Sequence, residues 1–187
     1  MAELRRELLA DLRGEVVEVG AGNGLNFAHY PPAVTRVFAV EPEPYLRDLA
    51  AKAARRAPVP VIVLPGRAER LPLEDGAADA AVLCLVLCSI ADRPLALTEL
   101  RRVVRAGGTL RFLEHCIADS PGLRRVQRLV DATVWPLLVG GCHTATDPVT
   151  DIAEHGFTIT TVRKLRFPDQ RISTPATPHV LGAARAG

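Results

Sequence analysis

The sequence predicts a single doubly wound α/β domain, and three observations support this prediction. Apolar, β-branched segments alternate with helical segments along the chain, as in folds that place a sheet between helices. The segment "AAVLCLVLC" is apolar throughout, which is typical of a parallel strand that is covered on both faces. The length of 187 residues suits one domain with a substantial core and gives little reason to expect two.

The individual elements follow in chain order from turn residues and hydrophobic spacing. Gly14 is expected to end the first helix, and Gly107–Gly108 the helix before strand five. Leu46, Leu49 and Ala53 share one face of the second predicted helix. The predicted strands are residues 15–20, 35–42, 59–66, 79–88, 109–115, 157–165 and 179–186, and the predicted helices are residues 2–13, 43–57, 93–105, about 122–139 and about 147–155.

Composition and charge exclude several classes of protein. Hydrophobic residues make up 48% of the chain and charged residues 24%, an ordinary globular balance. The formal net charge of +2 gives no indication of a nucleic-acid partner or an anionic membrane. No signal peptide is recognisable, and the longest apolar stretch is shorter than the ~20 residues that span a bilayer. We therefore expect a cytoplasmic protein with no integral membrane span and no nucleic-acid partner.

The four cysteines indicate packing rather than metal binding. Cys84 and Cys88 lie in the apolar fourth strand, where cysteine serves as a small hydrophobic residue. Cys116 and Cys142 complete the set, and no CxxC pair typical of a structural zinc site is present. No metal site is expected.

Strand one ends in three alternating glycines within "EVGAGNG". Ligands of doubly wound sheets bind beyond the carboxyl ends of the strands, so Gly20, Gly22 and Gly24 mark a candidate site. Glycine permits a sharp turn and a close approach of ligand to backbone. The dinucleotide fingerprint GxGxxG would require a glycine where this chain has Leu25, so a dinucleotide is disfavoured.

Glu18 indicates which ligand the glycines would hold. A carboxylate two residues before Gly20 is a poor neighbour for a pyrophosphate, and a buried charge requires a partner. The Glu18 carboxylate suits a ligand that carries an ammonium group. A ligand that also has a carboxylate, for the N-terminus of the next helix, and a ribose would satisfy the whole site. S-adenosylmethionine carries all three groups. Glu41, about 20 residues further on, suits the ribose hydroxyls, although NAD-binding proteins use the same device.

Several motifs resemble those of a known family. "EVGAGNG", "AVEP", "RAERLPLEDGAAD" and "RRVVRAGGTLRFLEH" resemble class I methyltransferases of the ubiquinone/menaquinone-biosynthesis type. "GLNFAHYPP", "LVLCSI", "FLEH" and "GGCH" resemble the methyltransferase-like 7 group of thiol methyltransferases. The resemblance implies a Rossmann-like, mostly parallel seven-stranded sheet with the last strand antiparallel and helices on both faces. The candidate residues for the cofactor S-adenosylmethionine are Glu18, Gly20, Gly22, Gly24, Asn26, Glu41, Pro42, Ala68, Glu69, Cys84 and Leu85.

The chain departs from the family pattern in two places and at its start. Arg67 stands where the broader family commonly has an aspartate for the adenine amino group, so adenine is expected either to rely on the Ala68 backbone and Glu69 or to bind less tightly. Ala106 replaces the usual proline before the paired glycines. Animal members carry an N-terminal membrane anchor, whereas about 13 residues precede strand one here, which leaves membrane attachment unsupported.

The methyl acceptor is expected to lie under residues 116–146, which we call the lid segment. Apolar residues here suggest a small lipophilic acceptor, although core packing explains them equally well. They are Leu123, Val126, Val130, Val134, Trp135 and Leu138. His115 and His143 are candidates to orient or deprotonate the acceptor, and Glu114 to orient His115 or pair with an arginine. A structural hydrogen bond explains each of them as well.

Three functions remain open from the sequence. The first is methyl transfer to a small lipophilic acceptor, with a thiol as the leading choice because thiols are partly ionised near neutral pH. The second is a nicotinamide-dependent oxidoreductase, which Glu18, Leu25 and the absence of a YxxxK pair disfavour. The third is a non-catalytic module that binds a cofactor or lipid.

Overall fold

The computed structural model describes residues 1–133, 135–169 and 173–187. The strands are β1 Gly14–Val19, β2 Val34–Glu41, β3 Val61–Pro65, β4 Ala78–Cys84, β5 Val104–His115, β6 Phe157–Arg166 and β7 Pro178–Ala186. The helices are α1 Ala2–Leu9, α2 Pro44–Ala54, α3 Arg93–Val103, α4 Pro121–Asp131, α5 Trp135–Leu138 and α6 Pro148–Glu154. Short 3₁₀ turns cover Phe27–His29 and Leu87–Ser89.

All seven strands belong to one sheet, in the order β3-β2-β1-β4-β5-β7-β6. The pairs from β3 through β5 are parallel, and β7 runs antiparallel to both β5 and β6. The predicted mostly parallel sheet with an antiparallel last strand is confirmed. The strand order reverses between β1 and β4, so the carboxyl ends of these strands form the crevice where such folds bind ligands.

The sheet separates two hydrophobic cores. Successive side chains of a strand point to opposite faces, and Val16 and Val17 of β1 accordingly belong to different cores. Leu97 of α3 and Ile152 of α6 pack with Val17, whereas Leu8 of α1 packs on the opposite face with Val16. Helices therefore cover both faces, as the sequence predicted.

The glycine pair at 107 and 108 does not end α3, contrary to the sequence prediction. The helix ends at Val103, and Val104 already has extended backbone and begins β5 because both valines are buried in the core. The pairing of β4 with β5 then skips residues, from Val104 to Thr109. A Cβ at Gly108 would lie 2.6 Å from Val104 Cγ1, so the bulge itself requires a glycine there.

Several other predicted elements are shorter than expected. The first helix ends at Leu9 and not at Gly14, which instead begins β1. β4 ends at Cys84 because Leu85 takes a left-handed conformation, with φ 58°, and a 3₁₀ turn follows. The helix expected over residues 122–139 is divided into α4 and α5. Within the described ranges, no helix is both long and apolar enough to cross a membrane.

Gly182 of β7 is a position where the sheet has no room for a side chain. An added Cβ would lie 2.4 Å from Phe112 Cζ and 2.6 Å from the Thr161 carbonyl oxygen. We expect Gly182→Ala to lower the free energy of unfolding by about 1–3 kcal/mol through overpacking, measured by urea denaturation. Gly122→Ala in exposed α4 is the control, because its Cβ would meet nothing within 4 Å. Equal stability of the two variants would contradict the tight packing of β7.

Candidate active site

The glycine loop after β1 combines tight packing with one open position. Gly20, Gly22 and Gly24 all have positive φ, between 57° and 79°, which favours glycine. A Cβ at Gly20 would lie 2.2 Å from Val86 Cγ2, and one at Gly24 would lie 2.7 Å from the Phe27 ring. At Gly22 it would meet nothing within 4 Å. The first and third glycines are therefore required by packing, and Gly22 faces open space.

Glu41, the last residue of β2, holds the glycine loop in place. One carboxylate oxygen accepts a hydrogen bond from the Gly22 N–H at 2.8 Å, and the other accepts from the Glu43 N–H at 3.0 Å. The side chain is buried. A carboxylate has about four acceptor positions, so Glu41 retains capacity for further donors from a ligand.

Glu18 lies at the centre of a buried polar cluster. Its two carboxylate oxygens accept hydrogen bonds from Asn26 Nδ2 and the Tyr30 hydroxyl, each at 2.7 Å. Burial raises the pKa of Glu18 to about 7, although both hydrogen bonds and the charge of Arg5 oppose this rise. The sequence predicted a cationic partner for Glu18, but its direct partners within the protein are neutral donors. Two hydrogen bonds leave the carboxylate with further acceptor capacity.

Arg5 of α1 reaches this cluster, which the sequence did not predict. Its Nη1 donates to Asn26 Oδ1 at 2.5 Å and contacts Cys84 Sγ at 3.4 Å. Arg5 therefore lies at the carboxyl ends of β1 and β4, where the glycine loop opens. No local motif marks it, because it is one of two adjacent arginines in the first helix.

The helix expected after the glycine loop is reduced to one 3₁₀ turn, Phe27–His29. Tyr30 then returns to extended backbone before Pro31. The sequence predicted a helix whose N-terminus would face a ligand carboxylate, and the chain instead has a single turn at this place. A single turn contributes little of the dipole that a longer helix provides.

The third buried carboxylate, Glu114, fixes the turn that follows β4. Both of its oxygens accept from the Val86 N–H, at 3.0 and 3.1 Å, and its side chain is fully buried. Burial raises the pKa of Glu114 to about 8, opposed by backbone N–H groups of the turn. The predicted role of orienting His115 is wrong, because neighbouring side chains of a strand point to opposite faces. The hydrogen bonds found for Glu114 come from the backbone of the turn and not from an arginine.

The two candidate histidines occupy different surroundings. The His115 ring packs 4.3 Å from that of His179, and its buried Nδ1 has no hydrogen-bond partner among the described residues. Burial and His179 lower the pKa of His115 to about 4, so it is neutral at pH 7. His143 is exposed, and its backbone N–H donates to the Cys88 carbonyl at 2.8 Å. His143 therefore lies beside the turn after β4.

The predicted adenine side of the site lies after β3. Arg67 is exposed and its Nε lies 3.4 Å from Glu69 Oε2, so the departure from the family pattern supplies a cation to Glu69. Ala68 packs against the core. At the end of β2, the Pro42 carbonyl accepts from Arg47 Nη1 at 2.7 Å. These contacts fix the loops on either side of the ribose position expected at Glu41.

The four cysteines are free thiols. Cys88 is buried in the core, and Cys84 packs partly buried against it, which confirms the packing prediction for both. No cluster of three or more metal-ligating side chains occurs in the part of the chain that the structure describes.

The lid segment is held by polar contacts and presents apolar residues outward. Gln127 of α4 is fully buried; its Oε1 accepts from the Ala118 N–H, and its Nε2 donates to the carbonyls of Cys116, Thr144 and Pro175. The exposed apolar residues of this segment are Val126, Leu129, Leu137, Leu138 and Val139. Core packing therefore does not explain Val126 or Leu138, and Val134 lies outside the described residues.

Comparison with known proteins identifies the family. Residues 17–112 match the family described as a methyltransferase domain. The chain belongs to the class I S-adenosylmethionine-dependent methyltransferases. Its cofactor is S-adenosylmethionine, as the glycine motif and the acidic residues predicted.

The relatives of this methyltransferase include two human enzymes. It is 30% identical over 196 residues to thiol S-methyltransferase TMT1B, covering 98% of this chain and 79% of the relative. It is 30% identical over 200 residues to thiol S-methyltransferase TMT1A, with the same coverage. A solved methyltransferase structure from Methanosarcina mazei matches with a TM-score of 0.70 at 21% identity, covering 92% of each chain. This last match supports the fold alone.

The raised pKa of Glu18 predicts how the stability of the ligand-free methyltransferase varies with pH. The carboxyl ionises at about 7 when folded, against 4.5 ordinarily, so its stabilising contribution is complete below pH 4.5 and is lost as pH rises through 7. We expect the free energy of unfolding of Glu18→Gln, relative to that of the native protein, to rise by roughly 3 kcal/mol as the pH increases from 5 to 8.

Denaturant titrations at several pH values measure this difference. Other titrating groups, such as Glu114 and His115, contribute to both proteins and cancel. Glu15→Gln, at an exposed carboxylate of the same strand, is the matched control and should keep the native slope of stability against pH. A stability difference between Glu18→Gln and the native protein that stays constant with pH would contradict the burial of an ionisable Glu18.

Proposed function

We propose that this methyltransferase transfers the methyl group of S-adenosylmethionine to the sulfur of a small lipophilic thiol. Two observations support the thiol: the human relatives that match 98% of the chain are named thiol S-methyltransferases, and exposed apolar residues surround the expected acceptor side. The exposed apolar surface of α4 and α5 is the observation that carries the proposal. Leu129, Leu137 and Leu138 are 66%, 86% and 79% exposed, although leucine normally packs inside a protein.

The position of this surface supports an acceptor site. Gln127 ties α4 to Cys116 and Ala118, directly after β5. The turn after α5 bonds to the Cys88 carbonyl, directly after β4. Both helices are therefore anchored at the carboxyl ends of β4 and β5, next to the glycine loop. A lipophilic acceptor resting on these side chains would lose contact with water.

We assign the cofactor to the carboxyl ends of β1, β2 and β4, where the residues fit its groups. Glu18 and Asn26 suit the ammonium group, and Glu41 suits the ribose hydroxyls because it retains acceptor capacity. The open space at Gly22 lets the cofactor approach the backbone between Gly20 and Gly24. Pro42, Ala68 and Glu69 would bound the ribose and adenine, and Cys84 and Leu85 the apolar wall.

The chemistry requires alignment more than proton transfer. The bound cofactor would supply an electrophilic methyl group on a sulfonium: the acceptor thiolate would attack the methyl carbon in line, forming the new S–C bond as the old one breaks and S-adenosylhomocysteine leaves. A thiol with a pKa near 8.5 is partly ionised at neutral pH, so a strong base is not required. His115, with a pKa near 4, is a weak proton acceptor. His143 is exposed and is the better placed imidazole for a proton leaving the acceptor.

The ribose assignment predicts the effect of Glu41→Gln. The amide can still accept one hydrogen bond but loses the charge, so we expect cofactor affinity to fall by about 1.5–3 kcal/mol for each lost charged hydrogen bond, measured by calorimetry. Glu43→Gln is the control. Glu43 lies two residues after Glu41, and its side chain caps α2 by accepting a hydrogen bond from the Leu46 N–H. Unchanged affinity in Glu41→Gln would place the ribose elsewhere.

The acceptor assignment predicts which molecules are methylated and where they bind. With labelled cofactor and a panel of thiols, phenols and quinols, we expect thiols to react fastest and more apolar thiols to have lower KM. Leu137→Ser with Leu138→Ser should raise KM for an apolar thiol about tenfold and leave a small polar thiol unaffected. Val162→Ser, at an exposed apolar residue of β6, is the control. A preference for phenols or quinols would overturn the thiol proposal.

A further inference from the structure

The methionine end of the cofactor carries a carboxylate as well as an ammonium group, and the glycine loop lacks the usual counter-charge for it. In α/β folds an anion beside such a loop is commonly held by the N-terminus of the following helix. Here that helix is reduced to the turn Phe27–His29. The N–H groups and the dipole of one turn are a weak substitute for a full helix. A carboxylate bound at this loop therefore needs another source of positive charge.

Arg5 provides a cation at this position. Its Nη1 lies 2.5 Å from Asn26 Oδ1 and 3.4 Å from Cys84 Sγ. Both contacts use the same nitrogen. A guanidinium has five N–H donors in a planar fork that matches a carboxylate in a bidentate pair. Arg5 can therefore keep its contact with Asn26 while it binds an anion.

The helix that carries Arg5 is fixed on the sheet, so Arg5 is positioned rather than free. Leu8 and Leu9 of α1 are fully buried. Arg111 of β5 donates to the Leu8 and Glu7 carbonyls at 2.9 and 2.8 Å, which caps the C-terminal end of α1. Arg163 of β6 forms an ion pair with the Glu7 carboxylate at 2.6 Å. These contacts set the register that directs Arg5 toward the glycine loop.

Asn26 separates two opposite charges. Its Oδ1 accepts from Arg5, and its Nδ2 donates to Glu18 at 2.7 Å. A cation and a carboxylate thus lie on either side of one amide, at the carboxyl ends of β1 and β4. This arrangement is complementary to a zwitterionic amino-acid group, with its carboxylate toward Arg5 and its ammonium toward Glu18.

We propose that Arg5 binds the carboxylate of the cofactor's methionine moiety and replaces the missing helix N-terminus. The proposal rests on the cofactor assignment given under Proposed function. It makes α1 part of the cofactor site and makes the amino-acid end of the cofactor a determinant of affinity. Arg5 should not increase the affinity of the protein for a nucleoside thioether that lacks the amino-acid end.

Two ligands, the native protein and three variants test the proposal by calorimetry. S-adenosylhomocysteine carries the amino-acid end, and methylthioadenosine lacks it. We expect Arg5→Gln to raise the Kd of S-adenosylhomocysteine about 10- to 100-fold and to change that of methylthioadenosine less than about threefold. Arg6→Gln, at the neighbouring position of α1, should leave both values as in the native protein. Arg5→Lys should recover part of the loss, because lysine keeps the charge but not the fork.

The outcomes separate this proposal from the cofactor assignment. If Arg5→Gln leaves or tightens binding of S-adenosylhomocysteine while both ligands bind, Arg5 has no such role and the cofactor assignment stands. If it weakens both ligands equally, Arg5 acts by holding α1 in place, and the proposal is overturned. If neither ligand binds the native protein, the cofactor assignment fails and the role of Arg5 fails with it.

Discussion

A buried hydrogen-bonded chain from Tyr30 through Glu18 and Asn26 to Arg5 organises the site of this methyltransferase. It connects the central strand β1, the turn after the glycine loop and the first helix. A buried carboxylate destabilises the folded protein unless it is hydrogen-bonded. Removing one partner costs more free energy than the bond contributes, because the other group is left buried and unpaired. The chain therefore holds Asn26 and Tyr30 in fixed positions, and the glycine loop between them and β1 has little freedom to adopt another conformation.

The same device is repeated along the carboxyl edge of the sheet. Glu18, Glu41 and Glu114 lie at or near the ends of β1, β2 and β5, and each is buried. Glu41 holds the N–H groups of Gly22 and Glu43, and Glu114 holds the N–H of Val86. Each carboxylate thus fixes a loop that borders the ligand space. Loops built this way are preorganised, so a ligand need not supply the energy to order them.

The sequence was most informative where the determinants are local. The alternation of strands and helices, the seven-stranded sheet and the family followed from apolar runs, glycine spacing and motifs. The positions of Glu18 and Glu41 followed because carboxyl ends of parallel strands meet at one edge. Boundaries were less accurate where tertiary packing decides them, as at Val103 and Val104, whose burial starts β5 before the glycine pair.

Long-range contacts could not be obtained from the sequence. Arg5 and Asn26 are 21 residues apart, and Glu114 and Val86 are 28 residues apart. Nothing in the local pattern selects these partners, because several arginines and glutamates have equal propensity to form such bonds. The turn at Phe27–His29 was equally hidden, since a helix and a single turn share the same first residues. The inward orientation of Gln127 was hidden for the same reason.

The attachment of α4 through Gln127 affects how easily this helix can separate from the sheet. Four hydrogen bonds from one amide anchor the helix, whereas Val126 and Leu129 already face outward. If α4 separates from the sheet, water can replace each bond at a net cost of only about 1 kcal/mol, and Leu129, which is already 66% exposed, loses little buried surface. The attachment of α4 therefore depends largely on polar contacts that water can replace, which suits an enzyme that must take up a substrate and release its products.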